Sequence, residues 1–180
     1  MNTIKIHDKE FALFISDSEI KKTVSRLAGE INRDLKDKNV IFIGILNGAF
    51  MFAADVFRKI RLDCQISFVK LASYTGDTSR GSVKQLIGLG EQIKDKTVVI
   101  LEDIVDTGIT LDTIMKQLSG FEPKEILVVT LLLKPDALQK MVVLDYVGIE
   151  IPNDFVIGYG LDLDGYGRNL TGIYKMVKQE

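Results

Sequence analysis

Three mainly apolar segments constrain the fold of this 180-residue chain more than any other feature of its sequence. The segments 40–45, 97–101 and 125–133 consist mainly of valine, isoleucine and leucine. A strand with one face in water alternates between apolar and polar residues, whereas a strand that is apolar throughout is covered on both faces, as in parallel sheets. Because helical patterns separate these segments, the sequence predicts an α/β fold with a doubly wound, mostly parallel sheet.

The helical pattern near the N-terminus has a clear start. Ser16 precedes Glu19 by three positions, which is the spacing of a capping box. Apolar residues then recur three or four positions apart as far as Leu35, which predicts an amphipathic helix. Further elements are predicted as helices at 49–58 and 111–118, and as strands at 66–71 and 83–89, the last of these returning from a long hairpin.

Length and composition indicate one domain with no broad charged surface. Hydrophobic residues make up 46% of the chain and charged residues 27%, and the formal net charge is −2. This balance argues against a nucleic-acid or membrane partner, and a single cysteine, Cys64, fits a reducing compartment. We therefore expect a cytoplasmic protein. Its single domain is expected to consist of a core at about 18–145 and a small hood from residues 1–15 and 146–180.

The most informative segment follows the apolar run at 97–101. Two acids, Glu102 and Asp103, end the predicted strand, and a loop with the pattern Thr-Gly-x-Thr opens the next helix. Ligands of open α/β sheets lie beyond the carboxyl ends of the strands, and a helix N-terminus offers free N–H groups and a partial positive charge. The segment therefore predicts a phosphate cradle, formed by Asp106, Thr107, Gly108, Ile109 and Thr110.

Each part of this segment also has a plain structural explanation. Acids often end buried strands, and a threonine before a helix is often only a cap. As one ordered string, however, the acid pair and the turn favour a binding site. The chain contains neither G-x-x-x-x-G-K-[ST] nor G-x-G-x-x-G, which argues against a P-loop NTPase and a dinucleotide-binding fold.

The ordered string resembles the signature of the type I phosphoribosyltransferases, which use phosphoribosyl pyrophosphate (PRPP). Leu46-Asn47-Gly48 resembles their pyrophosphate loop, although many relatives carry a lysine where this chain has Asn47. That loop often contains a non-proline cis peptide, which we expect at Leu46–Asn47. Lys134 and the segment 151–162, followed by Arg168, resemble the base-binding region of the 6-oxopurine branch, the hypoxanthine (guanine) enzymes.

The resemblance covers nearly the whole chain and implies a reaction. The 5-phosphoribosyl group of PRPP would pass to hypoxanthine, and to guanine, with IMP or GMP and pyrophosphate as products and Mg²⁺ as cofactor. Glu102 and Asp103 would hold the ribose hydroxyls, and Asp106 would accept the purine N7 proton. The resemblance further implies purine contacts from Lys134, Phe155, Val156 and Asp162, pyrophosphate contacts from Leu46, Asn47, Gly48 and Arg168, a flexible loop that opens at Ser73 and Tyr74, and Mg²⁺ ligands from Glu102, Asp103 and Asp162.

Several alternatives remain open at this stage. A xanthine phosphoribosyltransferase would have a closely similar sequence, and a nucleotide sensor that binds RNA would keep the fold but is expected to show a basic face. A generic α/β domain without a PRPP site is the third alternative. Whether Asp106 is a true base or only positions the purine is also left open. Family members usually self-associate, so we expect a homodimer or homotetramer, with the apolar run 50–54 in the core or at an interface.

Overall fold

Fourteen short elements build the protein in a computed structural model, which describes residues 3–74 and 83–177. The strands are β1 Thr3–Ile6, β2 Lys9–Ile15, β3 Val40–Ile45, β4 Cys64–Tyr74, β5 Val83–Ile87, β6 Thr97–Val105, β7 Glu125–Leu133, β8 Tyr146–Glu150, β9 Val156–Ile157 and β10 Ile173–Met176. The helices are α1 Asp17–Asp34, α2 Phe50–Phe57 and α3 Ile109–Ser119, with a 3₁₀ turn at Pro135–Ala137.

A six-stranded sheet with the order β5-β4-β3-β6-β7-β8 carries the core. Neighbours in the row β4-β3-β6-β7-β8 pair in parallel. Only the edge strand β5 is antiparallel to its neighbour, β4. Alternate residues of the central strands pack on opposite faces, one covered by α1 and α2 and the other by α3. The predicted mostly parallel α/β sheet with helices on both faces is confirmed.

The first helix begins as its sequence predicts. The Ser16 N–H donates to Glu19 Oε2 at 2.9 Å, and the Glu19 N–H donates to Ser16 Oγ at 3.3 Å, which completes the capping box. The predicted apolar stripe of α1 is buried against the sheet down to Leu35. Helix α1 is therefore fixed at its start by local hydrogen bonds and along its length by apolar burial.

A second, antiparallel sheet with the order β1-β2-β10-β9 forms the hood. The predicted start of the hood at residue 146 is too early, because β8 pairs in parallel with β7 and belongs to the main sheet. Arg26 of α1 also holds this strand by donating to the carbonyls of Val147 and Gly148. No helix in the described part of the chain is long and apolar enough to cross a membrane.

Two strands are longer than their apolar runs. Strand β6 continues past Leu101 to Val105, because β7 runs beside it and pairs Val105 with Leu133. Glu102 and Asp103 therefore lie within the strand rather than at its end. Strand β4 includes Ser73 and Tyr74, the predicted opening of the flexible loop. The rest of that predicted loop, 75–82, lies outside the described residues.

Candidate active site

The connection between β6 and α3 surrounds a pocket of about 110 Å³. Gly108 stands at the N-cap of α3 with φ of 76°, in the left-handed region. This conformation aims the first turn of the helix, with its N–H groups that have no intrahelical partner, towards the pocket. The pocket is lined by Glu102, Ile104, Val105, Asp106, Thr107, Gly108, Thr110 and Leu111, so four of the five predicted phosphate-binding residues line it, and Ile109 is the first residue of α3.

A segment that our sequence analysis did not identify supports this turn. The Thr107 carbonyl accepts hydrogen bonds from the N–H groups of Gln139 and Lys140, at 3.0 and 3.1 Å. Gly108 lies so close to the Lys140 carbonyl that an added Cβ would stand 2.8 Å from that oxygen. Residues 139–140 therefore fix the back of the turn. No local pattern predicts this contact, since about 30 residues of chain separate the two segments.

The two acids of β6 differ in their surroundings. Glu102 lines the pocket, and its Oε2 is buried without a hydrogen-bond partner among residues 3–74 and 83–177. Asp103 lies against Gly48, where an added Cβ would overlap its carboxylate. Neighbouring side chains of a strand point to opposite faces, so the two carboxylates reach this end of the sheet from different sides.

Burial disfavours the charge on both acids. Loss of water, reinforced by the nearby Asp103 carboxylate, raises the pKa of Glu102 well above its usual value. Burial also raises the pKa of Asp103 to about 6, although backbone N–H groups and Arg168 favour its ionised form. Carboxylates in such a setting gain from hydroxyl donors or a cation. The pair is therefore suited to a ligand that brings one or both.

The three predicted magnesium ligands are not gathered into one metal site. No cluster of three or more His, Cys, Asp or Glu that could hold a metal is found within the described ranges. Asp162 is engaged elsewhere, with Oδ1 2.7 Å from Arg168 Nη2 and Oδ2 accepting from the Gly165 N–H at 2.6 Å. Mg²⁺ takes few protein ligands when a substrate offers phosphate oxygens. The unpartnered Glu102 oxygen and the adjacent Asp103 therefore fit a cation that is shared with the substrate.

The predicted pyrophosphate loop connects β3 to α2. The peptide bond between Leu46 and Asn47 is cis, which confirms the expectation for this loop. On one side Gly48 lies against Asp103, and on the other its carbonyl lies so close to Gly160 that a Cβ there would overlap it. The loop therefore contacts both Asp103 and the hood.

Lys134 forms an ion pair with Asp106, which lines the pocket. Lys134 ends β7 and Asp106 follows β6, and these neighbouring parallel strands bring Lys134 Nζ within 2.9 Å of Asp106 Oδ2. The lysine side chain is 8% exposed and the aspartate side chain 45%, so the pair lies at a boundary between core and solvent. Lys134 is thus a buried, paired lysine rather than a solvated one. Its ammonium keeps donors for a further acceptor.

The hood supplies the remaining predicted residues. Phe155 is 42% exposed and packs on Phe11 with ring centroids 6.3 Å apart, whereas the Val156 side chain is buried in β9. Arg168 lies between Asp162 and the Gly160 carbonyl, to which its Nη1 donates at 2.6 Å. Because Gly160 rests on Gly48, this arginine lies close to the pyrophosphate loop.

Comparisons with known proteins agree with this geometry. A family profile described as phosphoribosyl transferase domain matches residues 15–164. The hypoxanthine phosphoribosyltransferase of Haemophilus influenzae is 38% identical over 172 residues, which cover 93% of this chain and 96% of that protein. The hypoxanthine-guanine phosphoribosyltransferase of Mycobacterium avium is 38% identical over 169 residues, covering 90% and 83%. A crystal structure of a hypoxanthine-guanine phosphoribosyltransferase from Bacillus anthracis has a TM-score of 0.81 at 32% identity, covering 93% and 97%.

Proposed function

Because this chain belongs to the phosphoribosyl transferase domain family, among its hypoxanthine phosphoribosyltransferases, we infer that it transfers the 5-phosphoribosyl group of PRPP to hypoxanthine. The chain is a purine-salvage transferase, and its products are IMP and pyrophosphate. The observation that carries this conclusion is the phosphate turn after β6, placed beside two buried acids, in a chain of which a relative of that activity matches 93%.

PRPP is held by the phosphate turn, the two acids and the pyrophosphate loop. Residues 106–110 bind the 5′-phosphate through the N–H groups and hydroxyls at the start of α3. Glu102 and Asp103 accept hydrogen bonds from the ribose 2′- and 3′-hydroxyls, which offsets the cost of burying both carboxylates. The loop Leu46-Asn47-Gly48 and Arg168 face the pyrophosphate. These contacts fix C1′ of the ribose before the purine reacts.

Mg²⁺ fits the same site. Glu102 and Asp103 are the residues that would hold it, together with substrate oxygens and water. When bound, the ion supplies positive charge that stabilises the pyrophosphate leaving group. Asp162, which is paired with Arg168 in the chain without ligands, stays a predicted ligand of the ion.

The purine site uses the ion pair of Lys134 and Asp106. The bond from C1′ to pyrophosphate breaks and a bond from C1′ to N9 of the purine forms, while the purine loses a proton. Lys134 donates to the purine O6, and Asp106 accepts the N7 proton. Phe155 stacks on the base, and backbone groups near Val156 and Asp162 contact its edge. A 6-amino group in place of O6 would leave a buried donor unpaired, so adenine is disfavoured.

Replacement of Asp106 by asparagine separates the two roles of this carboxylate. The amide keeps an acceptor oxygen but takes up no proton, so kcat is expected to fall about 10²-fold while KM for hypoxanthine rises less than about threefold. Steady-state rates measure both constants. Asp112→Asn, which removes an acid paired with Lys116 on the surface of α3, is the matched control. An unchanged kcat with a raised KM would assign Asp106 to positioning alone.

The raised pKa of Asp103 predicts an acid limb in the pH profile. Below pH 6 the protonated carboxyl loses acceptor strength and charge, so kcat/KM for PRPP is expected to fall about tenfold per pH unit, since this ratio reports the free enzyme. Initial rates between pH 5 and 8 test this. The phosphates of PRPP titrate in the same range, and the residual activity of Asp103→Asn measures their contribution alone. Parallel profiles for the two proteins would contradict the assignment.

A purine panel tests the proposed function itself. Pyrophosphate release is followed with PRPP, Mg²⁺ and hypoxanthine, guanine, xanthine or adenine, with EDTA as the metal control. Turnover is expected with hypoxanthine, and with guanine as in the relatives whose names include it. Turnover only with xanthine would move the chain to another 6-oxopurine specificity. Absence of turnover together with RNA binding would favour the sensor.

We also propose a homodimer or homotetramer in the cytoplasm. Phe52 and Ala53 of the apolar run 50–54 are buried within the chain, whereas Phe50 is exposed and available to a second copy. The lone Cys64 is compatible with a reducing compartment. Light scattering of the purified protein and cell fractionation test these two statements.

A further inference from the structure

Tyr159 joins the purine-binding segment to the helix that follows the pyrophosphate loop. Its side chain is buried in the core cluster beneath α1 and α2, with only 4% of the residue exposed. Its hydroxyl donates to Asp55 Oδ2 on α2 at 2.7 Å. Burial and this hydrogen bond raise the pKa of Tyr159 above its usual range, so the hydroxyl is a neutral donor.

The backbone around Tyr159 has a conformation that glycine would adopt more readily. Gly158, Tyr159 and Gly160 have φ angles of 102°, 50° and 102°, three left-handed residues in a row. For a residue with a large side chain this region is unfavourable, and it persists only where the surroundings enforce it. The N–H groups of Tyr159 and Gly160 donate to the carbonyls of Leu170 and Arg168, both at 2.9 Å. The buried ring and the bond to Asp55 thus hold a turn that the backbone alone would not favour.

This turn lies between the two substrate regions. Gly160 packs on the carbonyl of Gly48 in the pyrophosphate loop, and its own carbonyl accepts from Arg168. Helix α2, which carries Asp55, begins two residues after Gly48. The pyrophosphate loop and the turn at Tyr159 are therefore connected twice. Asp55 of α2, the helix that follows the loop, binds Tyr159, and Gly160 packs directly on the loop.

We propose that the hydrogen bond between Tyr159 and Asp55 is a positioning tether that fixes the pyrophosphate loop relative to the purine-binding segment. Neither residue touches the reacting atoms. The tether holds the pyrophosphate loop in the geometry that binds PRPP, and loss of such pre-organisation lowers affinity, which raises KM for PRPP. This role rests on the proposed function, because it assigns the loop to PRPP and the hood segment to the purine.

Four variants and one control test the tether. Tyr159→Phe keeps the ring and removes the hydroxyl, Asp55→Ala removes the acceptor, Asp55→Asn keeps an acceptor oxygen, and the fourth combines Tyr159→Phe with Asp55→Ala. Tyr146→Phe is the matched control, because its hydroxyl donates to Asp34 at 3.3 Å and links β8 to α1 away from the pocket. Each protein is measured for kcat, KM for PRPP, melting temperature and amide hydrogen exchange at residues 46–49.

Tyr159→Phe and Asp55→Ala are each expected to raise KM for PRPP about tenfold. The double variant should raise it no further than either single variant, because both substitutions remove the same hydrogen bond. Asp55→Asn stays within about twofold of the wild type. Exchange at 46–49 is expected to speed up several-fold in the first two variants. Tyr146→Phe changes neither quantity, although it loses a similar bond.

The tether is overturned if KM for PRPP and exchange at 46–49 stay within twofold of the wild type in Tyr159→Phe, whatever happens to kcat or the melting temperature. A smaller active fraction lowers kcat but leaves KM unchanged, so it does not imitate the expected result. Should Tyr159→Phe not fold, Asp55→Ala decides by the same criteria. If the wild-type protein does not turn over PRPP, the proposed function is refuted. The tether can still be tested in that case, because hydrogen exchange at 46–49 needs no substrate.

Discussion

Replacement of Gly108 by alanine is expected to raise KM for PRPP about 100-fold. The left-handed φ of 76° is strained for alanine, and the new methyl group would stand 2.8 Å from the Lys140 carbonyl. Strain of this kind costs on the order of 1–3 kcal/mol, and a phosphate turn that relaxes to relieve it loses the alignment of its N–H groups. About 3 kcal/mol corresponds to roughly a 100-fold loss of affinity.

Gly29→Ala is the control for this substitution. Gly29 lies within α1, and an added Cβ there meets no atom within 4 Å. Alanine in a helix interior is more favourable than glycine by about 0.5–1 kcal/mol, so this variant should melt slightly higher and keep the wild-type KM for PRPP. Initial rates against PRPP concentration and thermal melts with and without PRPP provide both comparisons. A Gly108→Ala protein with the wild-type KM would remove the phosphate role of the turn.

Structural features that depend only on neighbouring residues in the sequence were predictable. The capping box needs only Ser16 and Glu19, and strands β3 and β7 coincide with mainly apolar runs because strands covered on both faces carry few polar residues. The phosphate turn is equally local, since the end of β6, Gly108 and the start of α3 are contiguous. Local patterns fix local geometry, and the site residues of this turn follow from it.

Contacts between distant segments could not be derived from local patterns. The sequence shows neither that residues 139–140 support Thr107 nor that Gly160 packs on Gly48, because the sheet topology and the hood bring these segments together. The true end of β6 was missed for the same reason. A strand ends where its partner ends, and β7 continues to Leu133.

The ion-pair partners of the charged residues could not be predicted from the sequence either. Family resemblance identified Lys134, Asp162 and Arg168 but did not show their partners. In the structure Lys134 is paired with Asp106, and Arg168 is paired with Asp162. The roles of these residues therefore depend on ion pairs between segments, which a linear pattern does not encode.

Asp103→Asn is expected to make the protein more stable and nearly inactive. Asparagine keeps the size of the side chain but loses the charge that holds the ribose and the cation, so kcat/KM for PRPP should fall by about 10²–10³, the scale of a lost electrostatic contact in a water-excluded site. Rates with PRPP, Mg²⁺ and hypoxanthine measure this loss. A variant with wild-type kcat/KM would exclude Asp103 from the site.

The gain in stability follows from the pKa of Asp103. Burial raises that pKa from an ordinary 3.8 to about 6 in the folded chain, so between these two values the folded state binds a proton that the unfolded state has lost. The folded state is therefore favoured at low pH, and this advantage disappears as the pH rises through 6. At pH 7 the ionised carboxylate costs the ligand-free protein roughly 3 kcal/mol, since each pKa unit corresponds to about 1.4 kcal/mol.

Denaturant unfolding in EDTA at pH 7 and pH 4 measures this effect, and Glu125→Gln is the matched control. Glu125 also loses one negative charge on substitution, but hydrogen bonds from Lys38 and Thr97 lower its pKa, so its ionised form stabilises the fold. At pH 7 we expect Asp103→Asn to unfold at higher denaturant concentration than the wild type and Glu125→Gln at lower concentration. Near pH 4 the advantage of Asp103→Asn should vanish, because Asp103 is then protonated in the folded wild type. If Asp103→Asn instead destabilises the protein at pH 7, the ionised Asp103 carboxylate does not lower the stability of the ligand-free fold. Asp103 would then be a structural residue of β6.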